Sequence, residues 1–443
     1  MKIKSYSYNR GIKNPAPKLT SFSEIKEVFV PEVETVKIPV KQIKGVMPSV
    51  VVTRGERVKR GTRLAVSGDK VILSSVSGVV ESVYEGASVY GGQTEIVSIV
   101  SDDENKQELF KKYEETSSPE QMMMSLKRFS IVDYDGFDIS SKIEAIPQNV
   151  DKTLVVNLLT DEPYELNTPF LLAQKSEDVA NGVLTMATIM QASKIIIAVK
   201  KGEEKLYSEF FNLVEQLTTS LNLSVAVLPD VYPIGDEVNL ARTLIKNKNI
   251  ASVVDVRNLG YVAIDAFAFY VLKKLVRDGE VVDERPISII DMKDGKIKST
   301  VAWVKVGTRL SHLIGCIENS DISAIKKIVA GGPMRGIALV DTEAGIPFNL
   351  KAIMAIRNNC NDEKGELQCI TCGKCVKACP QGLVPYEIDE HAINNDFNEA
   401  AKLGADKCTR CGVCSYVCPS KRYLTQRVYY AKEIIKNKGL KNE

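Results

Sequence analysis

The stretch Cys369-Ile370-Thr371-Cys372-Gly373-Lys374-Cys375-Val376-Lys377-Ala378-Cys379-Pro380 is followed by Cys408-Thr409-Arg410-Cys411-Gly412-Val413-Cys414-Ser415-Tyr416-Val417-Cys418-Pro419. The two runs are one motif written twice. In each, three cysteines step along a short loop so that three thiolates reach three irons of one cubane. The fourth cysteine, on the helix leaving the loop, points at the other cluster. The spacing therefore assigns Cys369, Cys372, Cys375 and Cys418 to one [4Fe–4S] cluster, and Cys408, Cys411, Cys414 and Cys379 to a second. A structural zinc site would use two CxxC knuckles rather than a triple step closed by Cys-Pro. Gly373 and Gly412 suit the tight loops and leave backbone N–H groups free for the cluster sulfurs, one lever on potential.

Eight of the ten cysteines lie in these runs; the others, Cys316 and Cys360, read as idle thiols. No apolar leader follows Met1 and no run nears the roughly 20 apolar residues of a membrane span, so the expected location is cytoplasmic, with membrane association at most peripheral. In a reducing compartment crowded cysteines bind metal rather than pair as disulfides. A net charge of +2 over 443 residues gives no field for nucleic acid.

Working back toward the N-terminus, the chain reads as a multidomain α/β and α+β protein. Residues 1–100 form an arm and a β barrel-sandwich, its turns marked by Gly55, Gly61, Gly68, Gly78 and Gly86. Gly68-Asp69-Lys70 suggests a lipoyl-type hairpin, but Ser77-Gly78-Val79 follows too soon, so Lys70 reads as a surface lysine on a structural sandwich. Residues 101–128 read as a helical linker. Over 129–280, strand runs at Leu154–Leu158, Lys194–Val199, Leu223–Leu228 and Ala251–Val256 alternate with helical segments, the pattern of a parallel sheet covered on both faces. Strands Ile287–Ile290 and Ser299–Val306 flank an Asp294-Gly295 turn in a module at 281–330. A connecting segment, 331–365, leads to a helical dicluster domain at 366–443. His312 and His391 stand far apart, and no acid–base or nucleophilic constellation is evident.

The segment Gly331-Gly332-Pro333-Met334-Arg335-Gly336-Ile337-Ala338, together with both cysteine runs and Pro380-x-Gly382-Leu383-Val384-Pro385, resembles the RnfC family. That family takes in the RnfC component of Rnf electron-transport complexes and RnfC-like electron-transfer proteins such as that of D-proline reductase. The resemblance implies a domain order of barrel-sandwich, α/β domain like the flavoprotein subunit of respiratory complex I, β-grasp-like module and two-cluster ferredoxin domain. It also implies an FMN/NADH site, from which this sequence departs. Where the family has a glycine-rich loop, this chain has Ser130-Ile131-Val132-Asp133-Tyr134-Asp135-Gly136-Phe137-Asp138. It keeps a single glycine, and its three carboxylates would repel a phosphate. Glu162 and Tyr164 survive from one family element, Glu237 from another, and Asn258 sits where an Asn is usual; these four are the candidate residues of a degenerate flavin/NADH site. The expectation is two [4Fe–4S] clusters and no FMN. The chain would relay single electrons between a redox donor, such as a membrane Rnf-type complex, and a partner reductase such as D-proline reductase. An FMN-dependent NADH dehydrogenase subunit and a cluster-stapled scaffold are the competing readings. The basic residues Lys421, Arg422, Arg427, Lys432, Lys436 and Lys438 form either a solvated helix or a docking face for an acidic redox partner or anionic membrane.

Overall fold

Five parallel strands make the central sheet, in the order Lys2–Ser5, Asn222–Leu228, Lys194–Lys200, Thr153–Asn157 and Tyr261–Asp265. In this computed structural model the described residues are 1–102, 104–114, 117–133, 136–160, 162–219, 221–247, 249–317, 324–357 and 365–440. Alternate side chains of the sheet enter different cores. Leu154, Val156, Ile195, Ile197, Val225 and Ile264 join one with Val179, Val183 and Met186 of the helix Asn167–Met190. Val155, Ile196, Ala226 and Ala263 join another with Leu240 and Leu244 of the helix Glu237–Ile245. Burial on both faces is why these strands read as continuous apolar runs.

Two features of this sheet differ from expectation. Ala251–Val256 is not a strand: Ser252 and Asp255 form a capping box that starts the helix Val253–Asn258, and the strand begins at Tyr261. Lys2–Ser5, expected in the N-terminal arm, is an edge strand paired in parallel from Lys2↔Ser224 to Ser5↔Val227. Its lysines blunt an otherwise open edge.

Residues 35–101 fold as a sandwich of a four-stranded and a three-stranded sheet around Ile38, Leu64, Val97 and Ile99. Lys70 is not a surface lysine. It leaves the Gly68–Asp69 turn and donates to Asp138 (2.8 Å) and Ser140 (2.9 Å), tying the sandwich to the loop before the α/β sheet. Among the described residues of 101–128 the only helical ones are those opening Pro119–Phe129, capped by Ser118.

The hairpin Glu284–Lys293/Lys296–Lys305 turns at Asp294 and Gly295, both at positive φ. Its sheet draws on the segment expected to be a connector: Ile337–Leu339 and Ala352–Arg357 are strands, the latter between Glu284–Lys293 and Ile325–Ala330. At the C-terminus, helices Pro385–Ile393, Phe397–Lys402 and Leu424–Lys438 pack through Ile388, Ala400, Val428 and Ala431. No helix among the described residues is long and apolar enough to cross a membrane. Cys360 lies outside the described residues.

Candidate functional site

The two cysteine loops have the same backbone. Thr371 and Arg410 lie at positive φ (49° and 57°), then Gly373 and Gly412 (70° and 83°), and each glycine opens a short helix, Lys374–Ala378 and Val413–Tyr416. The turns aim amides inward: Thr371 N–H points at the Cys369 sulfur and Arg410 N–H at the Cys408 sulfur, each at 3.4 Å. Cys418, from the second run, lines the same hollow as Cys369, Cys372 and Cys375 of the first. Reciprocally, Cys379 is near enough to Cys408 and Cys414 to influence their ionisation electrostatically. Burial pushes the Cys408, Cys411 and Cys414 thiols up, Cys414 to about 12. Any metal bound there must displace protons.

This donor set fits cubanes better than zinc. Four thiolates on one Zn²⁺ would each lie about 2.3 Å from a common centre. Among the described residues no three His, Cys, Asp or Glu side chains converge as ligands of a single metal ion. Cys369, Cys372, Cys375 and Cys418 instead surround a hollow, as a cluster with a separate iron for each thiolate requires.

The cage of Cys408, Cys411, Cys414 and Cys379 is packed against the rest of the molecule. Tyr232 donates to the Cys411 carbonyl (2.7 Å), Arg10 to that of Cys379 (2.9 Å), and Arg242 to that of Pro380 (3.1 Å). Lys432 reaches the Cys408 carbonyl at 2.6 Å. A Cβ on Gly412 would stand 2.3 Å from the Met334 carbonyl oxygen, so the Gly331–Gly336 turn rests directly on this loop. Glu162 holds that turn: its carboxylate accepts the N–H groups of Met334 (2.9 Å) and Arg335 (2.7 Å). Arg335 in turn donates to Tyr232 (3.2 Å) and Asp236 (3.1 Å). Burial lifts the Glu162 carboxyl to about 7 against the pull of Arg335 and the two amides.

Glu237 belongs to a different cluster. It accepts from Lys142 (3.0 Å), Arg257 (2.8 Å) and the Ala263 N–H (2.9 Å), and Lys142 also pairs with Asp133. Burial alone would raise Glu237, but these cations and the amide carry it down to about 2. Asp133 therefore neutralises a cation rather than facing outward as a lone repelling charge. Its loop is closed on itself: Asp133 N–H reaches the Phe137 carbonyl (2.9 Å), Gly136 N–H the Asp133 carbonyl (3.0 Å) and Phe137 N–H the Asp133 carboxylate (2.9 Å). Asp138 caps the helix Ile139–Glu144 and holds Lys70. Tyr134 and Asp135 lie outside the described residues.

Of the remaining candidates, Tyr164 stands at φ 69° with its hydroxyl on the Pro15 carbonyl (3.3 Å), and Asn258 is exposed at a helix end while its neighbour Arg257 turns inward. Sequence reasoning missed Lys142, Arg257 and Arg335, which partner the carboxylates it singled out. The signal was available: a buried carboxylate requires a cation or several N–H donors. His312 contacts the Pro31 carbonyl, and His391 the Asp396 carboxylate. A cavity of about 70 Å³ lies elsewhere, between apolar residues such as Val71, Phe129, Leu275 and Phe348.

Three family models match successive parts of the chain: the RnfC barrel sandwich hybrid domain over residues 6–104, the Nuo51 FMN-binding domain over 131–264, and the 4Fe-4S dicluster domain over 368–421. Among curated proteins, the C component of the ion-translocating oxidoreductase complex of Rhodobacter capsulatus is 26% identical over 416 residues, covering 91% of this chain and 78% of its own. Its counterpart in Buchnera aphidicola subsp. Acyrthosiphon pisum is 24% identical over 399 residues, covering 87% and 81%. Among solved structures, the NAD+-reducing [NiFe]-hydrogenase is similar at 11% identity over 72% of this chain, with TM-scores of 0.44 in its H2-reduced state and 0.46 in its air-oxidized state. This chain covers 61% and 66% of those hydrogenase chains.

Proposed function

Because the chain is a member of the RnfC-like family, we propose that it is the electron-transfer subunit of an Rnf-type ion-translocating oxidoreductase, relaying single electrons without hydride chemistry of its own. The observation that carries this reading is the pair of interleaved cysteine cages, one packed against the α/β domain and one at the surface. Cys369, Cys372, Cys375 and Cys418 would hold one [4Fe–4S] cluster, and Cys408, Cys411, Cys414 and Cys379 the other. When bound, the clusters supply reversible one-electron storage. The chain's own residues position and shield them. Crossed ligation ties the two loops together, and Tyr232, Arg10 and Arg242 fix the inner loop on the α/β domain.

The proposal of no bound FMN rests on the loop at 130–138. A flavin phosphate needs free amides and an uncommitted cation. The Asp133, Gly136 and Phe137 amides are spent within the loop, and Lys142 is held by Asp133 and Glu237. The family-model match to an FMN-binding domain favours the rival reading, a flavin-dependent NADH dehydrogenase subunit. The partner is a membrane Rnf-type complex on which this chain is peripheral, which the curated relatives favour over a reductase such as D-proline reductase. The test is flavin released from anaerobic, cluster-replete protein, before and after incubation with FMN. The expected result is none, with clusters that NADH leaves oxidised. Stoichiometric FMN and NADH-driven cluster reduction would establish the dehydrogenase instead.

A further inference from the structure

We infer that electrons cross the protein surface at the outer cage, Cys369, Cys372, Cys375 and Cys418, and that the surface around it docks an acidic electron-carrier protein. This rests on the relay reading above. Electron transfer between proteins needs close approach of the two centres, and the cages differ in what they allow. The inner one is covered: Cys379 and Cys411 are buried, and the Gly331–Gly336 turn rests on Gly412. The outer one reaches solvent, with Cys372 exposed.

Around that opening stand three apolar side chains that a domain packed for solvent alone would not place together. Leu367 is 59%, Ile370 64% and Tyr423 50% exposed. Ile370 lines the hollow itself, and Leu367 is pinned beside it by its N–H on the Ser420 carbonyl (2.9 Å). Tyr423 is held to the same strip through Glu366 (3.3 Å). Exposed apolar groups gathered around a functional opening mark a contact surface. Its charge selects the partner. Lys374, which lines the hollow, and Lys377, on the same short helix Lys374–Ala378, are exposed beside the patch. The neighbouring carboxylates Glu366 and Asp389 are neutralised by Arg427 and Arg422. Glu387, half-buried with the Tyr386 hydroxyl on its carboxylate (2.8 Å), opposes one of these lysine charges, and among the described residues the two exposed lysines leave the rim net positive around an apolar centre, which complements an acidic partner and repels a basic one.

This placement also divides the basic C-terminal residues. Arg422, Arg427 and Lys432 are spent on Asp389, Glu366 and the Cys408 carbonyl, so they hold the domain together rather than face a partner. Lys436 and Lys438 lie on the last turn of the helix Leu424–Lys438.

The experiment uses full-length protein with both clusters, reduced with dithionite, freed of reductant and mixed in stopped flow with one of three oxidants. These are plastocyanin of acidic type, cytochrome c as the basic counterpart, and benzoquinone as a small neutral acceptor. The proposal expects plastocyanin to outpace cytochrome c at low salt and to slow as ionic strength rises. It expects Lys374→Glu/Lys377→Glu to slow plastocyanin about tenfold or more, with benzoquinone oxidation and both EPR signals unchanged. Lys374→Gln/Lys377→Gln should give a smaller effect of the same sign, which covers the case in which charge reversal disturbs the cluster. Lys436→Glu/Lys438→Glu should change nothing. A slowing confined to the 436/438 variant, or a faster reaction with cytochrome c, would overturn the assignment of this surface. Electrons passing to benzoquinone but to neither protein would defeat the relay reading as well.

Discussion

Glu162 occupies a family motif position where a flavin/NADH ligand is expected, yet in the structure it organises the protein's own backbone. Its carboxylate replaces solvent for two amides of the Gly331–Gly336 turn, and burial lifts its pKa from about 4.5 to about 7. The sign of the linkage is fixed by that direction. Between the two values the folded protein holds a proton that the unfolded chain has released, so stability falls as pH rises through this window. At 1.36 kcal/mol per unit the loss is about 3 kcal/mol by pH 7. Glu162→Gln should flatten unfolding midpoints between pH 5 and 7 while keeping a hydrogen-bond acceptor; a slope unchanged from wild type would mean that Glu162 stays ionised throughout. Glu237 behaves oppositely. Carried down to about 2, it contributes stability above its unfolded value of about 4.5 that disappears only as pH falls toward 2. Arg335 belongs to the Glu162 network. It acts electrostatically on Cys408 and Cys411, so Arg335→Gln should lower the midpoint potential of the inner cluster, on the order of tens of millivolts, and leave the outer one unmoved in an EPR-monitored titration.

The cysteine loops and the strands buried on both faces were legible in the sequence because each is specified locally, by ligand spacing or by an unbroken apolar run. Val253–Asn258 was not. Its β-branched residues resemble a strand, and only the Ser252/Asp255 capping box, a two-residue signal, sets the helix. The strand Ala352–Arg357 was missed because its pairing partners lie far away along the chain, at Glu284–Lys293 and Ile325–Ala330. At the candidate site the carboxylates were visible but their cations were not, since Lys142 and Arg257 meet Glu237 only through tertiary folding. The two loops, alike in sequence, also differ in surroundings, and that difference is testable. A Cβ on Gly373 meets open space, so Gly373→Ala carries only the left-handed backbone cost, about 1 kcal/mol. A Cβ on Gly412 would stand 2.3 Å from the Met334 carbonyl oxygen, which must move. Gly412→Ala adds overpacking to the same backbone cost, about 2–4 kcal/mol in all. Iron analysis and EPR of the two variants should show the outer cluster kept in Gly373→Ala and the inner one depleted in Gly412→Ala. Equal depletion would mean that the Gly331–Gly336 turn yields without consequence.

Across the whole molecule the inner cage is the point where the N-terminal arm, the α/β domain, the Gly331–Gly336 turn and the dicluster domain meet. Arg10, Tyr232, Arg242 and Met334 each touch its loop or the Cys379–Pro380 corner. A cluster bound there would join two runs of the dicluster domain and at the same time hold that domain on the rest of the chain. Crossed ligation would therefore have a structural consequence as well as an electronic one. If Cys379 serves the cage of Cys408, Cys411 and Cys414, then Cys379→Ala should remove the inner cluster and leave about four irons per chain, those of the outer one. Loss of that cluster should also loosen the docking, so amide exchange should rise in the Gly331–Gly336 turn and around Tyr232, far along the sequence from the substitution. Cys418→Ala should do the reverse, depleting the outer cluster while exchange at Tyr232 keeps its wild-type protection, because among the described residues Tyr232 is held by Cys411 and Arg335 rather than by Cys418. The paired outcome separates crossed from uncrossed ligation without reference to turnover. Were Cys379→Ala to abolish the signal of the cluster held by Cys369, Cys372 and Cys375 instead, each run would be closing its own cage. The hollow shared by Cys418 with the first run would then be a packing coincidence rather than a ligand set.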